Sequence, residues 1–228
     1  MTEEARRDAE GAGEDGRRAE APGLSLPEEL LLLAVNPRGG RILVNPSHLR
    51  WGLAAAALVE LEAQGRVSGE GGRIAVLRPD PTGRQELDAA LAALPSPPGT
   101  VRVKRWLGRY GRRAEQSTAK ALAARGALSS EEVRVLGVFP RLRHRVLDPA
   151  LRARRLEGMA AAAKSGFPGR RSRALAALLK ATRVAGRLGV PRAVGREMRP
   201  LVREFWQAEA VRRKVSESRS AAAGGGGG

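Results

Sequence analysis

The stretch Pro46–Val67, PSHLRWGLAAAALVELEAQGRV, constrains the fold more than any other part of the chain. Leu49, Leu53, Ala56, Ala57, Leu58 and Leu61 recur at helical spacing, and Ala54–Ala57 leaves almost no polar side in the middle. Asn45 reads as the N-cap. Pro46 takes the first helical position, where a missing N–H costs nothing, and Gly65 reads as the stop. A helix that is apolar nearly all round has to be enclosed by other elements. With Arg50, Glu60 and Glu62 inside roughly 18 residues, it is poorly suited to crossing a bilayer. The sequence therefore predicts a mainly α fold: a single helical domain with a buried central helix ringed by amphipathic helices, plus small β-hairpins.

The surrounding elements follow from local signals. Ser25–Val35 predicts a short helix, with Ser25 as cap and Glu28 completing a capping box. Arg41–Val44 suggests a short strand. Arg66–Leu77 predicts a hairpin with Gly69–Gly72 at its tip, and Arg84–Leu94 an amphipathic helix. After the linker Pro95–Gly99, two helices are expected, Val101–Tyr110 and Arg112–Arg125, separated by Gly111. Ser129–Glu132 reads as a helical turn, and Val135–Leu147 as a strand-like hairpin at an edge. Asp148 and Pro149 open a helix to about Lys164, Arg173–Leu188 resumes helix, and Pro191 starts a last helix to Val215 with a kink at Pro200. Met1–Gly23 is charged and aperiodic, and Ser216–Gly228 ends in a Gly run. Both are expected to be disordered, which leaves 24–215 as the folded part.

Charge narrows the function. The net charge is +17, and Thr100–Gly228 alone carries 30 Lys and Arg against nine acids. Base composition can exchange Arg for Lys, but it does not remove acids, so the excess points to a polyanionic partner: nucleic acid or an anionic membrane surface. The chain has no cysteine, which excludes disulfides and a thiol nucleophile and fits a cytosolic setting. No leader-like apolar run opens the chain and no transmembrane helix is expected. His48 and His144 have no acidic or Ser partner at motif spacing, so no metal site or triad is predicted. The Gly-rich turns match neither a Walker loop nor a dinucleotide fingerprint. The expectation is a non-enzyme without a cofactor.

Four segments in order resemble the Golgi phosphoprotein 3 family, including its actinobacterial members: LPEELLLLAV, GLAAAALVELEAQGRV, PDPTGRQELDAAL, and AKALAARGALSSEE followed by VLGVFPRLRHRV. They span about Leu24–Leu188. The resemblance implies a helical domain of the kind described above, peripheral membrane attachment, and phosphatidylinositol 4-phosphate bound in a basic pocket. It also implies a hairpin that inserts at the membrane or mediates self-association and, in eukaryotes, a sorting-adaptor role. The family pocket uses one Trp and three Arg. In this sequence those positions fall on Asn45, Ala54, Arg112 and Glu115, so only Arg112 matches. Arg50, Trp51 and Arg113 lie nearby as substitutes.

Two candidate sites follow. Arg112 and Arg113, taken as the start of a helix where free N–H groups favour an anion, would clamp a head-group phosphate together with Arg50 and Trp51. In the Phe139–Leu147 hairpin, Arg141, Arg143 and Arg145 would share one face while Phe139, Leu142 and Val146 supply apolar contact with a membrane. The expected partner is anionic lipid, read with weak selectivity because Ala54, Asn45 and Glu115 offer a phosphate no donor comparable to the family's. The alternative is a DNA-binding protein, since ALVELEAQGRVSGEGGRIAVL also has the form of a helix followed by a wing. Against it, the would-be recognition helix carries Arg50 as its one basic residue. A protein-interaction adaptor without lipid binding is the third reading.

Overall fold

The computed structural model describes residues 23–135 and 139–224, and describes no side chains for 134–141. The segment expected to be disordered, Met1–Gly23, lies outside the described residues except for Gly23. Helix α1 (Leu26–Ala34) starts at the expected capping box: the Ser25 hydroxyl accepts from Glu28 N–H, and the Glu28 carboxylate accepts from Ser25 N–H at 2.7 Å. Helix α2 (Pro46–Ala63) is capped by the Asn45 side chain, which accepts from Ser47 N–H at 2.9 Å, and Gly65 past its end takes φ +64°. Leu49, Leu53–Ala56, Leu58 and Leu61 of α2 have no solvent exposure.

Strands β1 (Val67–Glu70) and β2 (Arg73–Val76) form the first hairpin, with Val67 opposite Val76. Helix α3 (Gln85–Leu91) follows, and then a third strand, β3 (Thr100–Arg102), pairs antiparallel with β2 where only a linker and helix were expected. Helix α4 (Val103–Ala124) is continuous. Gly111 does not divide it as the sequence suggested. Its bare Cα instead lets α4 approach α2, because a Cβ there would lie 3.2 Å from Arg50 Cβ and 3.4 Å from the Arg50 backbone.

The second hairpin is longer than expected. Strands β4 (Leu128–Val135) and β5 (Phe139–Val146) pair from Leu128↔Val146 to Val135↔Phe139. Ser129–Glu132 is therefore strand and not a helical turn. A cross-strand bond explains the preference: Ser130 Oγ lies 2.8 Å from His144 Nδ1, its register partner. Arg41–Val44 makes one bridge, Val35↔Ile42, and no strand.

Helix α5 (Pro149–Lys164) is capped by Asp148, as read from the sequence. Helix α6 (Gly169–Ala181) ends where Arg183 turns left-handed (φ +70°), and a single turn, α7 (Val184–Arg187), continues in a new direction. The one helix expected over Arg173–Leu188 is thus two. Helix α8 (Arg192–Glu204) carries Pro200 inside it. The break comes at Phe205, which is extended, and α9 (Trp206–Gly224) follows. The expected disordered tail from Ser216 is helical to Gly224. Together, α1, α3, α4, α6 and α9 pack around α2, which makes it the central helix, and the buried apolar residues form one cluster.

Buried acids tie this assembly together. Glu115, in α4, has no exposure. Its Oε2 is 2.5 Å from Arg50 Nε of α2, and its Oε1 is 3.3 Å from His144 Nε2 of β5. Burial by itself would raise the Glu115 carboxyl, but hydrogen bonds from His144 and Arg50 and the Arg50 charge outweigh burial and hold it below its usual range. Glu28 accepts from Arg125 at 2.8 Å, and Glu60 accepts from Leu26 N–H at 2.6 Å and from Arg171 at 2.9 Å.

Two predictions test this packing. A Cβ at Gly52 would lie 2.2 Å from Thr182 Cγ2 and 3.3 Å from Leu30 Cδ2. Gly52→Ala should cost about 1–3 kcal/mol in urea unfolding. Adding Thr182→Ser, which removes that methyl and keeps the hydroxyl bond to Leu178 O, should restore most of the loss. The second concerns Glu115. Because its folded pKa is depressed, its stabilisation is present above the ordinary value of 4.5 and is lost as pH falls through the folded value. Glu115→Gln should cost about 3 kcal/mol near neutral pH and flatten the acid limb of the stability curve, read by denaturant titration at several pH values.

Candidate anion-binding site

The structure separates the residues that the sequence grouped into a head-group clamp. Arg112 and Arg113 stand in the middle of α4 and not at a helix start, so their N–H groups belong to the helix and offer nothing to an anion. Both side chains are exposed. Arg50 is engaged by Glu115. The Trp51 ring is half-buried and already carries a cation, with Lys214 Nζ 4.6 Å from its centroid. Glu115, expected to repel a phosphate, faces inward. Ala54, at another family ligand position, is fully buried.

The hairpin is also divided. Arg143 and Arg145 are exposed, Leu142 is half-buried, and His144 and Val146 are buried. Val146 therefore packs into the core and is not membrane-facing, because the β5 face that carries it lies against the body of the domain. The side chains of Phe139 and Arg141 lie outside the described residues. Ser130, His144 and Glu115 touch in the order of a hydrolase triad. However, Arg50 shares the Glu115 carboxylate, and Ser130 is exposed on β4, outside the lining of the pockets described below. This relay anchors the hairpin to α2 and α4.

The residues that do converge on a cavity were not singled out in the sequence. A pocket of about 620 Å³ opens at the start of α2. Val44, Asn45 and His48 form one wall. Lys180 at the end of α6, Arg183 and Arg187 around α7, and Arg219 of α9 form the others. No acid among the described residues lines it. The left-handed turn at Arg183 ends α6 and redirects the chain so that Lys180, Arg183 and Arg187 all face one space. His48 is buried, and among the described residues its Nε2 has no hydrogen-bond partner. Burial lowers the His48 pKa first, and the charges of Arg183 and Arg219 lower it further. Burial and the charges of Arg199 and Arg183 likewise lower Lys180. Groups of like charge held this close, with an unpartnered ring nitrogen among them, form a site that a compact anion would relieve. One sequence signal could have found it: Gly158–Arg196 contains no acid.

A second basic surface runs along α4. Arg105, Arg109, Arg112, Arg113 and Lys120 are all exposed, and Glu115, the only acid of the helix, faces inward. Arg105, Arg109 and Arg113 edge a shallower depression of about 450 Å³ over Trp106 and Tyr110, whose rings stack 4.6 Å apart.

Among the described residues, no group of three or more His, Asp or Glu is placed to hold a metal ion, and no helix is long and apolar enough to cross a membrane. No curated protein matches the chain. The family model described as Golgi phosphoprotein 3 (GPP34) matches residues 26–218, which covers every described element from α1 through most of α9. With that match spanning most of its length, and with the buried central helix and paired hairpins in place, the chain belongs to the Golgi phosphoprotein 3 family.

Proposed function

We propose that this chain, as an actinobacterial-type member of its family, is a peripheral protein of the cytoplasmic membrane face. In this reading it takes the phosphate of an anionic lipid head group into the pocket at the start of α2. The observation that carries the proposal is the pocket itself, which no acid lines among the described residues: Lys180, Arg183, Arg187 and Arg219 surround a buried His48 Nε2 that has no partner among those residues. Guanidinium groups arranged around one cavity favour a phosphate over diffuse charge. The outer face of α4 supplies long-range attraction to an anionic surface, and Arg143 and Arg145 add to it from the hairpin. Self-association through the Phe139–Leu147 hairpin and an adaptor role are compatible with this arrangement. The pocket shares only Asn45 with the family ligand positions, so selectivity for phosphatidylinositol 4-phosphate over simpler anionic lipids is expected to be weak.

DNA binding is the poorer reading. The helix that would enter a groove is α2, and it is enclosed on all sides.

Co-sedimentation tests the proposal. Anionic vesicles should bind and neutral ones should not, and binding should weaken as salt rises. Each exposed cation near the surface contributes about 1 kcal/mol, so removing Arg109 and Arg112 together should cost about 30-fold. Removing Arg183 and Arg219 should cost clearly more than this charge-matched pair. Equal losses would reduce the pocket to ordinary surface charge, and equal sedimentation with neutral and anionic vesicles would remove the lipid reading altogether. A duplex-DNA shift at matched salt serves as control.

The pocket also predicts a pH dependence. In the free protein His48 titrates below its ordinary value of 6.5. A bound dianion offsets Arg183 and Arg219 and raises it, so binding takes up a proton. Affinity for sulfate, which does not titrate in this range, should therefore increase as pH falls below about 6.5. In calorimetry, His48→Asn should remove that dependence.

A further inference from the structure

The cationic pocket has an apolar neighbour. A groove of about 680 Å³ lies between α5 and the segment leading into α8, lined by Leu156, Met159 and Ala163 on one side and Leu188, Val190 and Val194 on the other. Leu156, Ala163, Leu188, Val190 and Val194 are half-buried, with no element of the described chain across them. The charged residues in its lining, among those described, are Lys164 and Glu197. An open apolar groove does not by itself name its occupant.

Its position does. Arg187 lines the pocket and the next residue, Leu188, lines the groove. Leu188 N–H still donates to Val184 O at 3.1 Å, so the two openings share the wall formed by α7 and its continuation. On that wall, Gly186 lines the pocket and Gly189, two residues past the end of α7, lines the groove, and a Cβ at either would meet no atom within 4 Å. Gly189 has φ +73°, which favours a glycine there. The two glycines thus leave open space on either side of Arg187 and Leu188, where the pocket meets the groove. A cavity that fixes an anion and a groove that shelters hydrocarbon, divided by this sill, match the two halves of one amphiphile.

We propose that the pocket and the groove form a single lipid site, in which a phosphate head occupies the pocket and one acyl chain of the same molecule crosses the Gly186–Gly189 sill into the α5–α8 groove. This rests on the head-group reading above and deepens it: the ligand is a lipid with one chain withdrawn from the bilayer, not a head group touched from outside. Every basic group facing the head, Lys180, Arg183, Arg187 and Arg219, lies on the pocket side of the sill.

The test uses the full chain and two water-soluble probes with the same head, glycerol 3-phosphate and lauroyl lysophosphatidic acid kept below its micelle concentration, with lauroyl lysophosphatidylcholine as a chain-matched control. Lysophosphatidic acid should bind at least tenfold more tightly than glycerol 3-phosphate and more tightly than the choline lipid. Leu156→Gln and Val194→Gln should erase the chain's advantage while leaving glycerol 3-phosphate affinity unchanged, with a melting curve to confirm folding. A diazirine at the end of the chain should label 156–163 or 188–194 in the unaltered protein, which keeps the test decisive if a variant misfolds. Equal affinity for the two phosphates, or labelling elsewhere, overturns the groove and leaves the head-group reading standing. Absence of binding by either phosphate overturns both.

Discussion

An 18-residue helix without a polar face cannot lie on a surface, and this requirement organises the whole molecule. α2 needs neighbours on every side, and α1, α3, α4, α6 and α9 supply them. Several of these contacts are closer than ordinary helix packing. Gly52 lets Thr182 of the α6 C-cap sit directly against α2, and Gly111 brings α4 onto the Arg50 backbone. Small residues at these points are thus part of the enclosure. The same crowding accounts for the run Ala54–Ala57, where larger side chains would push the surrounding helices apart.

The enclosure also decides where the charges go. Glu28, Glu29, Glu60, Glu62 and Glu115 are drawn into contacts between helices, each with at least one Arg, and Glu62 also accepts from the Trp206 indole at 2.5 Å. Acids spent on internal ties cannot moderate the exterior, so the positive charge collects on α4, on the α6–α7 turn and on the end of α9. A single constraint, the burial of α2, thereby links the stability of the fold to the sign of its surface. It also explains why Arg170 and Arg171, at the start of α6, are fasteners between that helix and the α1–α2 layer.

Where local chemistry determined the outcome, the sequence was a sufficient guide. The capping box at Ser25, the Asn45–Pro46 start, the Asp148 cap, and the Gly-rich tip between β1 and β2 are short-range signals, and each appears as read. Two of the misreadings share one cause, a distant partner overriding local preference. Ser129–Glu132 has helix-start chemistry but is recruited into β4 by pairing with β5. Gly111 reads as a breaker and is instead a contact surface. The site was least legible because its basic groups come from α6, the α7 turn and α9, gathered around the start of α2 by a left-handed Arg183 that no composition signal marks. Arg50 and Trp51 lie close to the family positions in sequence, but the fold assigns them to Glu115 and Lys214.

Arg219 occupies an unusual place in this scheme. Val215 is the last buried residue of α9, and the helix continues beyond it to Gly224 with no further core contact. The final turns place Arg219 at the pocket and tie to the fold through the Lys104–Glu217 ion pair rather than through the core. An exopeptidase that trimmed the chain back to Val215 would leave every buried side chain in place and take one of the four cations from the pocket. Such a truncated molecule would keep its buried core and, in the head-group reading, hold an anion with three cations instead of four.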